Sequence, residues 1–119
     1  MNDQKTTIQE LKDKFKKFSQ ERNWEQFHSA KNLSMCIAAE AAELMEHFMW
    51  VTNEQSAQQF ENNRQEVEHE VADIAFGLLQ FCNMHNIDLS SAINTKLEEL
   101  EQRYTIEKSY NRWTKISKS

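Results

Sequence analysis

Four acids in two matched pairs are the residues of this chain best suited to chemistry: Glu40 and Glu43 in the run EAAE, Glu70 and Asp73 in the run EVAD. A spacing of three puts both carboxylates of a pair on one side of a helix, about one turn apart. Carboxylates that close repel one another unless a cation neutralises them, and buried ones are costly without a partner. Two such pairs on neighbouring helices make an oxygen-only donor set of the kind that holds a hard divalent cation such as Mg²⁺. Either pair alone reads more readily as solvated acids on a Glu-rich helix, so the elements that carry them decide the matter.

Composition points to an all-α chain. Among 119 residues there is one glycine, Gly77, and no proline, whereas sheets and long loops draw on both for their turns. The length suits one domain with a single modest core, residues 1–119, with a core over about 5–105 and a tail over about 106–119. A net charge of −5 argues against a nucleic-acid polymer as partner, though not against a single nucleotide. The mean hydropathy of −0.83 argues against a membrane span. The start MNDQKTTIQE has no apolar signal core, and Cys36 and Cys82 form no disulfide framework. Both thiols are expected to be buried and reduced, in a cytoplasmic protein.

Apolar periodicity predicts four main helices. The first covers about Thr7 to Arg22, with Ile8, Leu11, Phe15 and Phe18 on one face. An aromatic stretch, NWEQFHS, interrupts the pattern before a second helix from about Ala30 to Trp50. A short helix is expected around Glu54 to Phe60. The third main helix covers about Arg64 to His85, with Val67, Val71, Ile74, Leu78 and Phe81 inward. Asn86, Ile87 and Asp88 form a turn, and Ser90 or Ser91 is expected to cap the fourth helix, which reaches about Tyr104. Tyr110 and Trp113 suggest that the tail docks.

At 100° per residue, Leu33, Ile37, Leu44 and Phe48 centre about 50° to one side of Glu40, and Glu43 falls about 60° to the other. The later helix repeats this phase around Glu70 and Asp73. Packing through these stripes brings the four acids together along one edge, as a carboxylate metal site in a bundle requires.

These residues resemble the MazG-like all-α nucleoside triphosphate pyrophosphatases, in particular the dCTP pyrophosphatase-like branch. EAAE at 40–43 and EVAD at 70–73 match its ExxE and ExxD pairs. ERNWEQFH at 21–28, KNL at 31–33, EAAELMEHFMW at 40–50, IDLSSAINTK at 87–96 and RY at 103–104 follow in the same order. The resemblance implies a four-helix bundle-like subunit that assembles into a dimer or tetramer. It implies Mg²⁺-dependent hydrolysis of (deoxy)nucleoside triphosphates to the monophosphate and pyrophosphate, with dNTPs as substrates and dCTP favoured. Glu40, Glu43, Glu70 and Asp73 match the metal ligands, with Glu46 a further candidate and Glu43 a candidate base toward water. Trp24 and Trp50 match aromatics that flank the base. His28 and Asn32 are candidates for hydrogen bonds near the site, and Lys31, Lys96 and Arg103 for phosphate contacts.

Three positions depart from the family pattern: Gly77 stands where a tyrosine is frequent, Leu100 where an asparagine is expected, and Thr105 where a proline follows RY. A mid-helix Gly77 is expected to make room for substrate or for a neighbouring helix. Two other readings compete. A ferritin-like di-iron carboxylate protein would use the ExxH motifs Glu25–His28 and Glu66–His69. A non-catalytic helical interaction module would leave every acid solvated.

Overall fold

The computed structural model describes residues 1–117, which are helical with no strand among them and fall into two compact units, residues 1–87 and residues from 88 onward. The first unit contains α1 (Ile8–Glu21), a 3₁₀ turn (Glu25–Phe27), α2 (Ala30–Glu46), α3 (Asn53–Asn62) and α4 (Arg64–His85). The second contains α5 (Leu89–Arg103) and α6 (Ile106–Ser109).

Local chemistry accounts for the boundaries. Thr7 accepts from the Glu10 amide while the Glu10 side chain reaches back to the Thr7 amide, a capping box that starts α1. Thr52 and Gln55 repeat the device at the start of α3. Ser29 caps α2. α2 stops at Glu46, short of the expected Trp50, because Phe48 N turns tightly back to Met45 O at 2.9 Å. α4 ends at Asn86, whose φ of 54° is the left-handed conformation that asparagine tolerates. The cap of α5 is Asp88 and not Ser90 or Ser91: its Oδ1 accepts from the Ser91 amide at 3.0 Å.

α4 is the hub of the first unit. It packs most extensively against α2, then against α1, then against α3. That placement corrects the single inward stripe expected on it. Val67 is buried as expected, but Val71 is 52% and Leu78 45% exposed, whereas Gly77, Leu79, Gln80 and Cys82 are buried. A helix with neighbours on several sides buries more than one face, so one amphipathic stripe does not describe it. Cys36 is likewise exposed, not buried. Four residues before Glu40, it lies on the acid-bearing edge of α2 and not on its apolar stripe.

Gly77 serves helix packing. A Cβ built there would stand 2.8 Å from Ile37 Cγ1, so α2 and α4 approach one another closely at this point. The stiff β-branched Ile37 has little freedom to yield. In the second unit, Tyr104 Oη accepts from the Ile116 amide at 3.1 Å, turning the tail back on α5. The aromatics expected to dock do not: Tyr110 is exposed and Trp113 fully so.

Gly77→Ala is expected to destabilise the chain by about 1 kcal/mol, because overpacking of about 1–3 kcal/mol exceeds the gain of up to about 1 kcal/mol in helix propensity. Combined with Ile37→Ala, the two costs should be less than additive, as read by urea denaturation at constant slope. A Gly77→Ala chain more stable than the parent would contradict the close approach.

Candidate functional site

The α2–α4 contact brings the two acid pairs together. Glu40 and Glu43 come from α2, Glu70 and Asp73 from α4, and one carboxylate oxygen from each lies within 4.8 Å of the others. Glu40 and Glu70 are partly buried and Glu43 and Asp73 exposed, so the cluster has an inner and an outer side. On the inner side, Glu40 Oε2 and Glu70 Oε2 are buried with no hydrogen-bond partner. Orphaned buried carboxylate oxygens are rare, because each costs its lost hydration. Burial, then the neighbouring Glu43 carboxylate, then the charges of Asp73 and Glu70 push the Glu40 carboxyl from its ordinary 4.5 up to about 7. Burial and the Glu43 and Asp73 carboxylates also raise Glu70, opposed by His47, whose Nε2 lies 3.9 Å from Glu70 Oε1. An all-oxygen set with two unpartnered inner atoms and strong mutual repulsion fits a divalent cation.

Beside the acids lies a hollow of about 420 Å³ lined by Trp24, Phe27, His28, Asn32, Met35 and Cys36. Its walls are built locally. Asn23 takes a left-handed φ of 54°, and the Trp24 amide turns back onto Ser19 O at 2.9 Å. Trp24 then packs edge-on against Phe18, ring centroids 5.4 Å apart. Asn32 Nδ2 donates to Phe27 O at 2.9 Å and holds the 3₁₀ turn onto the start of α2. Asn32, Cys36, Glu40 and Glu43 follow at four-, four- and three-residue steps on α2, which places hollow and acids on one helix face. Asn32 and Glu40 stand about 12 Å apart along that helix.

The structure therefore groups Trp24, His28 and Asn32 in one hollow and Glu40, Glu43, Glu70 and Asp73 in one cluster. The remaining expected residues belong to several elements. Trp50 falls in the turn after α2, is 86% exposed and does not line the hollow. Lys31 is exposed on α2, and Glu46, its last residue, is exposed and outside the four-acid cluster. Lys96 and Arg103 belong to the second unit, where both pair with Glu99, at 3.0 and 3.6 Å. Neither ExxH motif joins the acids: His28 is bound to Gln80, and Glu25, Glu66 and His69 lie outside the cluster. Among the residues not expected at the site from sequence, Phe27, Met35 and Cys36 line the hollow. For Cys36, the spacing of one turn before Glu40 was the available signal.

A profile of the MazG-like family matches residues 35–118. The chain is similar to dCTP pyrophosphatase 1 of Bos taurus, 30% identical over 102 residues, and to that of Mus musculus, 29% identical over 102 residues. Each match covers 84% of this chain and 60% of the relative, so the chain spans about 60% of the length of these curated relatives. It also resembles the crystal structure of a pyrophosphatase from Archaeoglobus fulgidus, with a TM-score of 0.81 and 32% identity, covering 88% of this chain and 98% of that one. Among the described residues, no helix is long and apolar enough to cross a membrane.

The raised carboxyls set a pH dependence. A carboxyl with a higher pKa folded than unfolded binds its proton more tightly in the folded chain, so its contribution favours folding in acid. For Glu40 that contribution is fully present below about 4.5 and is lost as pH rises through about 7. The chelated protein should therefore lose thermal stability across that window, and divalent cation should restore it at pH 7. Glu40→Gln should flatten the pH slope; an unchanged slope in that variant would exclude Glu40 as its source.

Proposed function

The chain belongs to the MazG-like family, and we propose that it hydrolyses (deoxy)nucleoside triphosphates to the monophosphate and pyrophosphate with Mg²⁺ as its metal, dCTP being favoured. The observation that carries this reading is the convergence of four carboxylates on the helix face that also lines an aromatic hollow. The hollow offers an indole to the flat face of a base, while the acids lie where a triphosphate extending along α2 would arrive. The names of the curated relatives support dCTP as the favoured substrate.

Glu40, Glu43, Glu70 and Asp73 would hold the metal, which when bound offsets phosphate charge and acidifies water. The reaction joins a water oxygen to the α-phosphorus and breaks its bond to the bridging oxygen, so that pyrophosphate leaves. Glu43, exposed on the outer side of the cluster, is our candidate to take the water's proton. Trp24 stacks on the base while His28 and Asn32 border it. Lys31, Lys96 and Arg103 remain the proposed phosphate contacts, Glu46 a further metal contact, and Trp50 a second base-flanking aromatic.

We place this activity in the cytoplasm and treat residues 1–119 as one catalytic domain. The chain is also proposed to assemble at least as a dimer. Trp50, Met45 and Val71 are exposed in the single chain, apolar side chains suited to burial against a second copy.

A pyrophosphate-release screen over the common nucleoside triphosphates with Mg²⁺ tests the reading. Activity on at least one is expected, and Glu43→Gln and Asp73→Asn should each lower kcat/KM by about 100-fold or more. A parent chain inert toward every nucleotide would overturn it. Trp24→Ala should raise KM by about tenfold, as stacking of about 1–3 kcal/mol per base requires. A monomeric mass by light scattering at micromolar concentration would remove the assembly claim.

A further inference from the structure

A partly buried line of amides, with Gln80 at its centre, ends on His28. Asn83 Nδ2 donates to the Lys12 carbonyl oxygen at 2.8 Å and to Gln80 Oε1 at 3.0 Å. Gln80 Nε2 lies 3.2 Å from His28 Nδ1. The direction of the line is set at its far end. A backbone carbonyl can only accept, so the Asn83 atom facing it is the amide nitrogen. That NH₂ meets the Gln80 oxygen, and Gln80 therefore turns its own NH₂ to the ring. An amide NH₂ can only donate, so Nδ1 accepts and the proton of the neutral imidazole sits on Nε2. Gln80 is 0% exposed, so bulk water does not compete for its amide. Burial also lowers the His28 pKa against the opposing pull of Glu25, in keeping with a neutral ring.

We propose that Gln80 and Asn83 are positioning residues that lock His28 in its Nε2–H tautomer, so that the hollow presents one hydrogen-bond donor of fixed identity to the substrate. Among the described residues Nε2 has no hydrogen-bond partner, and His28 lines the hollow with Trp24 and Asn32. A donor there suits a base acceptor such as the carbonyl O2 or the ring N3 of cytosine and opposes an amino group at the same place. The ligand half of the inference rests on the reading that a base occupies this hollow. The tautomer half does not, because it follows from the hydrogen bonds that run from the Lys12 carbonyl through Asn83 and Gln80 to the ring.

Nitrogen-15 NMR of the histidine rings in the full chain tests the tautomer directly, with the His28 signals assigned by their loss in His28→Gln. The expected spectrum has Nε2 at a protonated and Nδ1 at an unprotonated shift. Gln80→Glu puts an acceptor against Nδ1 and should move the proton there, a change that mere loss of packing would not produce. The same variant should raise KM for dCTP about tenfold with kcat within about twofold. A wild-type ring protonated on Nδ1, or averaging between tautomers, overturns the proposal. So does a folded Gln80→Glu chain with Nδ1 still unprotonated, and an unchanged KM beside a shifted proton overturns its ligand half. Should Gln80→Glu not fold, the wild-type spectrum decides. Should no nucleotide be hydrolysed, the proposed activity fails while the ring spectrum still settles the relay.

Discussion

The approach of α2 to α4 is the constraint on which the rest of this structure depends. Where Ile37 lies against the bare backbone of Gly77, two helices meet more closely than side chains on both would permit. Each carries an acid pair near the contact, so packing that buries Leu33 and Val67 also presses four carboxylates into one cluster. Hydrophobic burial supplies the favourable term, and electrostatic repulsion opposes it. The raised Glu40 and Glu70 carboxyls and their unpartnered inner oxygens are the local signs of that opposition.

Strain of this kind is ordinary at functional sites, where local stability is given up for a preorganised donor set. The surrounding structure absorbs it through contacts far from the acids. Capping boxes at Thr7 and Thr52 set the starts of α1 and α3. Lys12 Nζ holds the Ile87 carbonyl at 2.9 Å and ties α1 to the end of α4. The Asn83–Gln80 line joins α1, α4 and the turn bearing His28 through one partly buried polar network.

Much of this was legible along the chain. The span of α4 from Arg64 to His85 follows from its apolar period, and the phase of the acids relative to the stripes predicts their convergence. The ordered matches around EAAE and EVAD carry the family, which a profile over residues 35–118 supports. Less legible was the burial pattern of α4, because a period measures one face and a central helix has several. The exposure of Trp50 and Trp113 was hidden for a related reason: an aromatic in a turn or tail has no helix phase from which to read a direction.

The sequence by itself determined the helices and the angular placement of their acids, because both depend on dihedral preferences and on residues within a few positions of one another. It also marked Gly77 as a place where substrate or a neighbouring helix needs room, because a mid-helix glycine costs helix propensity. Only the tertiary structure decided what approaches, namely Ile37, and that Trp24, His28 and Asn32 share a hollow while Trp50 does not. It alone joined His28 to Gln80 and Lys12 to Asn83, partners 52 and 71 residues apart. Such pairings arise from how whole helices pack, and no local period or propensity encodes which side chains then meet.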